Sequence, residues 1–214
     1  MRLNIILNLA TINGVVGVEL LGQSLLPAIT ELSEDSKWRV RLAIIERIPL
    51  LAEKLGRAFF SEKLSAMCLN WLGDEVYSIR RATAENLKNL VDLLGDDWVA
   101  TELLPKIEKM CSHTSHVHRM SALDVIQVVS PRLSASLVET TLLPMVMRMA
   151  ADNVPNVRFT VAKTLRVVLQ VADPGASSQA ARNVSALLSN MAGDSDRDVR
   201  FFASKNLAEL QIKA

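Results

Sequence analysis

The residues best suited to chemistry crowd into one short segment, Cys111-x-His113-x-x-His116-x-His118. Thiolate and imidazole are preferred zinc ligands, and all three histidines of the chain stand here. A second set is suited to recognition rather than catalysis: Trp38 beside Arg39, Val76 beside Tyr77, then His116, Val154 and Asn156. Exposed aromatic rings and guanidinium groups are the usual anchors of a protein interface. No nucleophile elbow, glycine-rich phosphate loop or HExxH helix occurs, and acidic residues are spread along the chain rather than paired. The residues therefore pose a choice between a metal centre and a binding surface.

The elements that carry these residues decide between the two, and they repeat. Arg2, Arg41, Arg80, Arg119 and Arg158 are spaced 39 residues apart, and Arg200 follows after 42. An aspartate stands six residues before four of these arginines (Asp35, Asp74, Asp152, Asp194), and a β-branched residue directly before them (Val40, Ile79, Val157, Val199). His113 and His118 fill both slots in the odd copy. Pro27, Pro105 and Pro144, each after Leu-Leu, stand 14 residues before their arginines. A fixed period of about 40 residues with helical patterning marks HEAT or armadillo repeats.

Each period holds two amphipathic stretches with apolar residues at three- and four-residue steps and no strand alternation. First helices are predicted at 60–73, 98–112, 137–151 and 177–193, and second helices at 77–94, 117–133, 155–172 and 197–212. Pro27 and Pro49 should bend their helices, and Gly56 should follow a helix end. The predicted fold is all-α, a right-handed α-α superhelix (solenoid) of HEAT repeats forming one array. A half repeat, 1–18, precedes repeats at 19–56, 57–95, 96–134, 135–173 and 174–214. The chain opens on the repeat arginine itself, which predicts the C-terminal piece of a longer array.

This register argues against a metal. His118 occupies a β-branched core slot, Cys111 ends a first helix, and His113 and His116 fall in the turn, so ligation would require rearranged helices. No metal and no cofactor are expected. Met145, Met147 and Met149 fit core filling better than a contact surface. The aspartates lie near the positive end of each second helix. An aspartate of one repeat should reach the arginine of the next, making a structural ladder of Asp35, Arg41, Asp74, Arg80, Arg119, Asp152, Arg158, Asp194 and Arg200. The turns at 33–39, 72–78, 111–117, 150–156 and 192–198 should form one ridge, with Trp38, Tyr77 and His116 in a shared slot.

Composition narrows the partners. Net charge is +1 and aromatic residues are 4% of the chain, so neither nucleic acid nor an anionic membrane is expected. Hydrophobic residues are 50%, enough for a continuous core. The richest apolar stretch, Gly14 to Ile29, is interrupted by Glu19, Gln23 and Pro27. Two cysteines suggest no disulfide framework.

Several runs are similar to a known family: Leu-Leu-Pro-Ala-Ile (25–29), Lys-Trp-Arg-Val-Arg-Leu-Ala-Ile-Ile-Glu (37–46), Val-Tyr-Ser-Ile-Arg (76–80), His-Arg-Met (118–120) and Asn-Val-Arg-Phe-Thr-Val-Ala-Lys (156–163). In order, they resemble the C-terminal HEAT repeats of the scaffolding A subunits of protein phosphatase 2A. The Lys-Trp-Arg-Val-Arg run is the specific part, whereas a bare Val-Arg is common to HEAT proteins. The resemblance implies a non-catalytic, cytoplasmic and also nuclear scaffold. Its intra-repeat turns would hold the phosphatase catalytic subunit through Trp38, Arg39, Tyr77, His116, Val154 and Asn156, with Val76 on the same turns. The regulatory subunit would bind mostly through repeats absent from this chain. The loop at 172–178 and the last repeat depart from the family pattern. The other class open to such an array is a nuclear transport receptor or chromosome-organising subunit.

Overall fold

The computed structural model describes residues 18–172 and 178–212. The leading half repeat, Arg2 included, lies outside the described residues, as does the Asp173-Pro174-Gly175 breaker. All regular structure among the described residues is helical. The chain falls into two compact units, Met1–Pro105 and Lys106–Ala214.

In the first unit, α1 (Val18–Ser33) is followed by a turn and by α2 (Trp38–Ile45) and α3 (Ile48–Leu55). Pro49 does more than bend the second helix: it divides it. The proline takes the second position of α3, where a missing N–H is harmless. The next first helix is composite, with α4 (Arg57–Phe59), a π turn (Phe60–Leu64), α5 (Ser65–Asn70) and a 3-10 turn (Trp71–Gly73). It leads to α6 (Tyr77–Leu94), which packs on α2 and α3. Asn86 of α6 donates its side-chain amide to the Ile45 carbonyl, the acceptor that Pro49 cannot serve. A helix break written by one proline is thus closed by a side chain of the following repeat. The unit ends on α7 (Asp96–Trp98) and a π turn (Val99–Leu103).

The second unit begins within α8 (Leu104–Cys111) and continues through α9 (His116–Val129). It contains α10 (Ala135–Leu137), a π turn (Val138–Leu142), α11 (Leu143–Arg148) and a 3-10 turn (Met149–Ala151). The unit closes with α12 (Pro155–Ala172), α13 (Gln179–Met191) and α14 (Arg197–Ile212). Here α12 packs against both α9 and α14.

The π turns start at Phe60, Val99 and Val138, one period apart, and periodicity reasoning does not anticipate them. Pro105 and Pro144 follow two of them, but Ala66 stands in the same slot after the first. The wide turn therefore belongs to the repeat and not to the proline. It admits one extra residue per first helix, which turns Phe60, Val99 and Val138 fully inward. Met145 and Met149 are buried and fill core, and Met147 between them is half-buried. Gly56 (φ 84°, ψ 163°) and Gly95 (φ 80°, ψ −177°) join the repeats. Gly56 follows a helix end as expected, and both sets of angles lie in a region open essentially to glycine alone. In the third copy Ser134 takes that slot with ordinary angles, and its hydroxyl accepts from the Leu137 amide at 3.3 Å.

Candidate protein-binding interface

Every second helix is entered through the same hydrogen-bonded turn. Asp35, Asp74, Asp152 and Asp194 accept, through Oδ1, the amide two residues on: Lys37 at 2.7 Å, and Val76, Val154 and Asp196 at 2.8 Å each. The aspartate closes the turn and does not cap the helix amides. In the odd copy His113 does the same work, its Nδ1 accepting from the Ser115 amide at 3.0 Å. The arginine six residues on then ties the turn down. Arg41 Nη1 donates to the Asp35 carbonyl at 2.7 Å, and Arg80, Arg119 and Arg158 repeat the bond at 2.8 Å to Asp74, His113 and Asp152. Arg200 does so to Asp194 at 2.7 Å.

The other edge of the guanidinium reaches the following repeat. In the first unit Arg41 grips Asp74 bidentately, both bonds at 3.0 Å. In the second, Arg119 grips Asp152 at 2.6 and 2.9 Å, and Arg158 grips Asp194 at 2.7 and 2.8 Å. These three rungs run from an arginine forward to the next aspartate, the opposite sense to the one the sequence suggested, and among the described residues Arg80 and Arg200 close their own turns without a rung. These pairs are largely shielded from water, with side chains 9–15% exposed. Burial by itself pushes the Asp152 carboxyl up. The Arg119 hydrogen bond, the Val154 amide and the charges of Arg119 and Arg158 outweigh it, so Asp152 titrates below the ordinary carboxylate range. The Arg158 hydrogen bond holds Asp194 down in the same way, against burial.

The clamped turn presents one side chain in a fixed place. Trp38, Tyr77, His116, Pro155 and Arg197 each begin a second helix, and the preceding Lys37, Val76 and Ser115 are extended. In the first unit Trp38 is half-buried, and the exposed Arg39 guanidinium lies 4.5 Å from its ring centroid. On the next turn Val76 is half-buried and Tyr77 is 55% exposed. Arg80 lies 5.7 Å from the Tyr77 ring, and Arg81 donates to its hydroxyl at 3.4 Å. The Arg41–Asp74 rung joins these two turns. In the second unit His116 and Asn156 are exposed and Val154 is half-buried, and the Arg119–Asp152 rung joins their turns. Each pair of successive turns is thus a rigid strip of exposed rings, amides and guanidinium groups.

The histidine segment is arranged differently from a metal centre. His113 and His118 stack face to face, centroids 4.0 Å apart at 18°, and the His113 Nδ1 is occupied by backbone. No group of three metal-ligating side chains converges among the described residues. Burial pushes the Cys111 thiol up to about 12, with Glu108 adding to the shift, so it is a poor thiolate. Two features escaped the sequence reading: the Asn86–Ile45 link, and a cluster of Phe159, Phe201 and Phe202. Only the Phe directly after each of the last two ladder arginines signals the second.

Comparison with known proteins agrees with this architecture. Residues 142–172 match the HEAT repeat family model. The regulatory A subunit of protein phosphatase PP2A from Saccharomyces cerevisiae is 44% identical over 129 residues, 58% of this chain and 20% of the relative. The chain carries a HEAT repeat over residues 142–172 and is similar to that yeast protein. Its Schizosaccharomyces pombe counterpart is also 44% identical, over 37% of this chain and 14% of its own length. Human serine/threonine-protein phosphatase 4 regulatory subunit 1 is 26% identical over 82% of this chain and 19% of its own. The chain thus spans a fifth or less of these relatives. Among solved structures, Cex1p superposes with a TM-score of 0.68 at 17% identity, covering 99% of this chain and 43% of that one, a likeness of fold alone.

Proposed function

We propose that this chain is a non-catalytic scaffold segment whose intra-repeat turns hold the catalytic subunit of a serine/threonine phosphatase of the 2A type and present it to regulatory subunits. The observation that carries the reading is the Trp38–Arg39 pair. A large ring stands at the first position of a helix, a guanidinium stacks on it, and the Arg41–Asp74 rung immobilises the turn beneath. Tyr77 extends the same strip on the next turn. Rigid aromatic and arginine side chains lose little entropy on docking, which is why they dominate interface energetics. The similarity to proteins named for phosphatases 2A and 4 supports the partner class.

The test is capture of a purified 2A-type catalytic subunit by the immobilised chain. Trp38→Ala and Arg39→Ala should each weaken capture by about 30- to 1,000-fold, the equivalent of about 2–4 kcal/mol for an interface anchor. Helicity and melting should hardly change. Lys63→Ala, on an exposed first helix, is the control. Undiminished capture by both turn variants would remove the turns from the interface.

A further inference from the structure

The second unit carries an exposed surface that the turns do not use. Phe201 is 59% exposed, and among the described residues it is the most exposed large apolar side chain. Its ring stands 5.2 Å from Phe202, edge to face, and Phe202 in turn stacks on Phe159 at 5.7 Å and 27°. The Lys163 ammonium sits over both of the stacked rings, 4.9 Å from Phe159 and 4.2 Å from Phe202. All four residues lie on α12 and α14, Phe201 exposed and Phe159, Lys163 and Phe202 half-buried.

Register separates this surface from the rest of the array. Five residues after each ladder arginine stand Glu46, Glu85 and Asp124 in the earlier copies, and Lys163 and Lys205 in the last two. One residue after the arginine stand Leu42, Arg81 and Met120, then Phe159 and Phe201. Acidic and mixed chemistry therefore gives way to aromatic and basic chemistry in these two repeats only. Three neighbouring carboxylates are committed elsewhere, Asp194 to Arg158, Glu209 to Arg166 at 3.1 Å, and Asp196 to the amides of Asp198 and Val199, while the exposed Asp198 stands one turn before Phe201. Among the described residues neither Lys163 nor Lys205 pairs with a carboxylate. The aromatic faces hold Lys163 in place while leaving its N–H donors available.

We infer that this face docks a short acidic segment of a partner protein, one whose aromatic or leucine side chain lies against Phe201 and whose carboxylates pair with Lys163 and Lys205. Apolar area supplies the contact and the lysine row selects the charge, the usual division of labour in groove-bound acidic peptides. The occupant is distinct from anything held by the Trp38 and Tyr77 turns.

The test uses the whole chain and a fluorescein-labelled peptide alternating Glu with Phe and Leu, read by fluorescence anisotropy, beside a second peptide with every Glu replaced by Lys. The acidic peptide should bind, with affinity falling as salt rises, and its Lys counterpart should not. Phe201→Ala and Lys163→Glu should each weaken binding by about tenfold or more, and Trp38→Ala should leave it unchanged. Because Phe201 and Lys205 are exposed, Phe201→Ala and Lys205→Glu should keep the parental melting curve, and Lys205→Glu provides a second charge variant. Equal binding of both peptides, no binding of the acidic one, or binding indifferent to all three substitutions would overturn the assignment. So would capture by phosphatidylserine vesicles or oligothymidine in place of the peptide. Phe201→Ala should still capture the phosphatase catalytic subunit, which keeps this test separate from that of the turns.

Discussion

Asp152→Asn is the sharpest probe of the ladder that holds the turns. The substitution keeps an oxygen for the Val154 amide, at 2.8 Å in the parent, but removes the negative charge and one of two bonds from Arg119. Two limits bracket the cost. An exposed ion pair contributes about 0–1 kcal/mol, and breaking a buried one costs about 3–5 kcal/mol because a charge is stranded. The side chains here are 14% and 9% exposed, close to the buried limit. Arg119, however, keeps two carbonyl partners, His113 and Thr114, both at 2.8 Å, which offset part of the stranded charge. The expected loss is therefore about 2 kcal/mol. Asp152→Ala also orphans the Val154 amide and should lose about 1 kcal/mol more.

Urea titration at a series of pH values reads this directly. The Asp152 carboxyl titrates below its ordinary range in the folded chain, so folding favours the ionised form. The rung's contribution is complete above the unfolded carboxylate value, about 4, and disappears as pH falls through the lower folded value. The gap between parent and Asp152→Asn should accordingly be full at neutral pH and close progressively below about pH 4. Groups common to both proteins cancel in that difference. A gap that is the same on both sides of the carboxylate range, or that is absent at neutral pH, would refute the ladder as a source of stability.

Three further outcomes are expected. Asn86→Ala should cost about 1–3 kcal/mol in urea titration by orphaning the Ile45 carbonyl, and much less in a Pro49→Ala background, where a backbone amide is restored to serve it. His113→Ala should cost about 0.5–1.5 kcal/mol in thermal melting, and His113→Asn, which keeps a side-chain acceptor for the Ser115 amide, should cost less. Gly56→Ala and Gly95→Ala should each cost about 1–3 kcal/mol of backbone strain. Gly95→Ala should cost more in the same melting assay, since a Cβ there meets Arg57 Nη2 at 3.1 Å while Gly56 has nothing within 4 Å.

Periodic features were legible in the sequence, and compensations between repeats were not. The ladder arginines recur at fixed intervals because each closes its own turn and three of them, Arg41, Arg119 and Arg158, also reach the next aspartate. That double constraint leaves a mark that spacing alone reveals. The direction of the rung left no mark, because a forward and a backward ladder share one spacing. Asn86 was invisible for a different reason. Its bond to Ile45 joins second helices of successive repeats, and among the described residues the same bond recurs from Asn206 to the Ala162 carbonyl at 2.7 Å, so an asparagine in two copies of five left too faint a period to read. The π turns sit between: they recur every period, but a five-residue ring adds one residue without disturbing the apolar pattern that periodicity reads. His113 misled in the useful direction. Its ligand chemistry suggested zinc, whereas the register put it in the turn at the aspartate slot, and there it accepts the turn amide as the carboxylates of the other copies do.

The same geometry explains how the residues proposed for the interface share one slot without being uniform. The first residue of a helix has an amide with no intrahelical partner, and its backbone angle suits proline as well as any other residue. Trp38, Tyr77, His116, Pro155 and Arg197 all occupy that position. The helix places almost no demand on the side chain there, and the turn beneath is fixed by residues on either side of it. Folding therefore sets where the side chain stands and leaves its chemistry open. On the first two described turns that slot holds Trp38, with Arg39 over its ring, and Tyr77, with Arg81 at its hydroxyl. By the last two turns the slot holds Pro155 and Arg197, and the aromatic chemistry stands on the helix faces instead, at Phe159 and Phe201. A single partner lying along the turns would not call for that relocation. It is what two different binding chemistries, carried by one repeat plan, would produce.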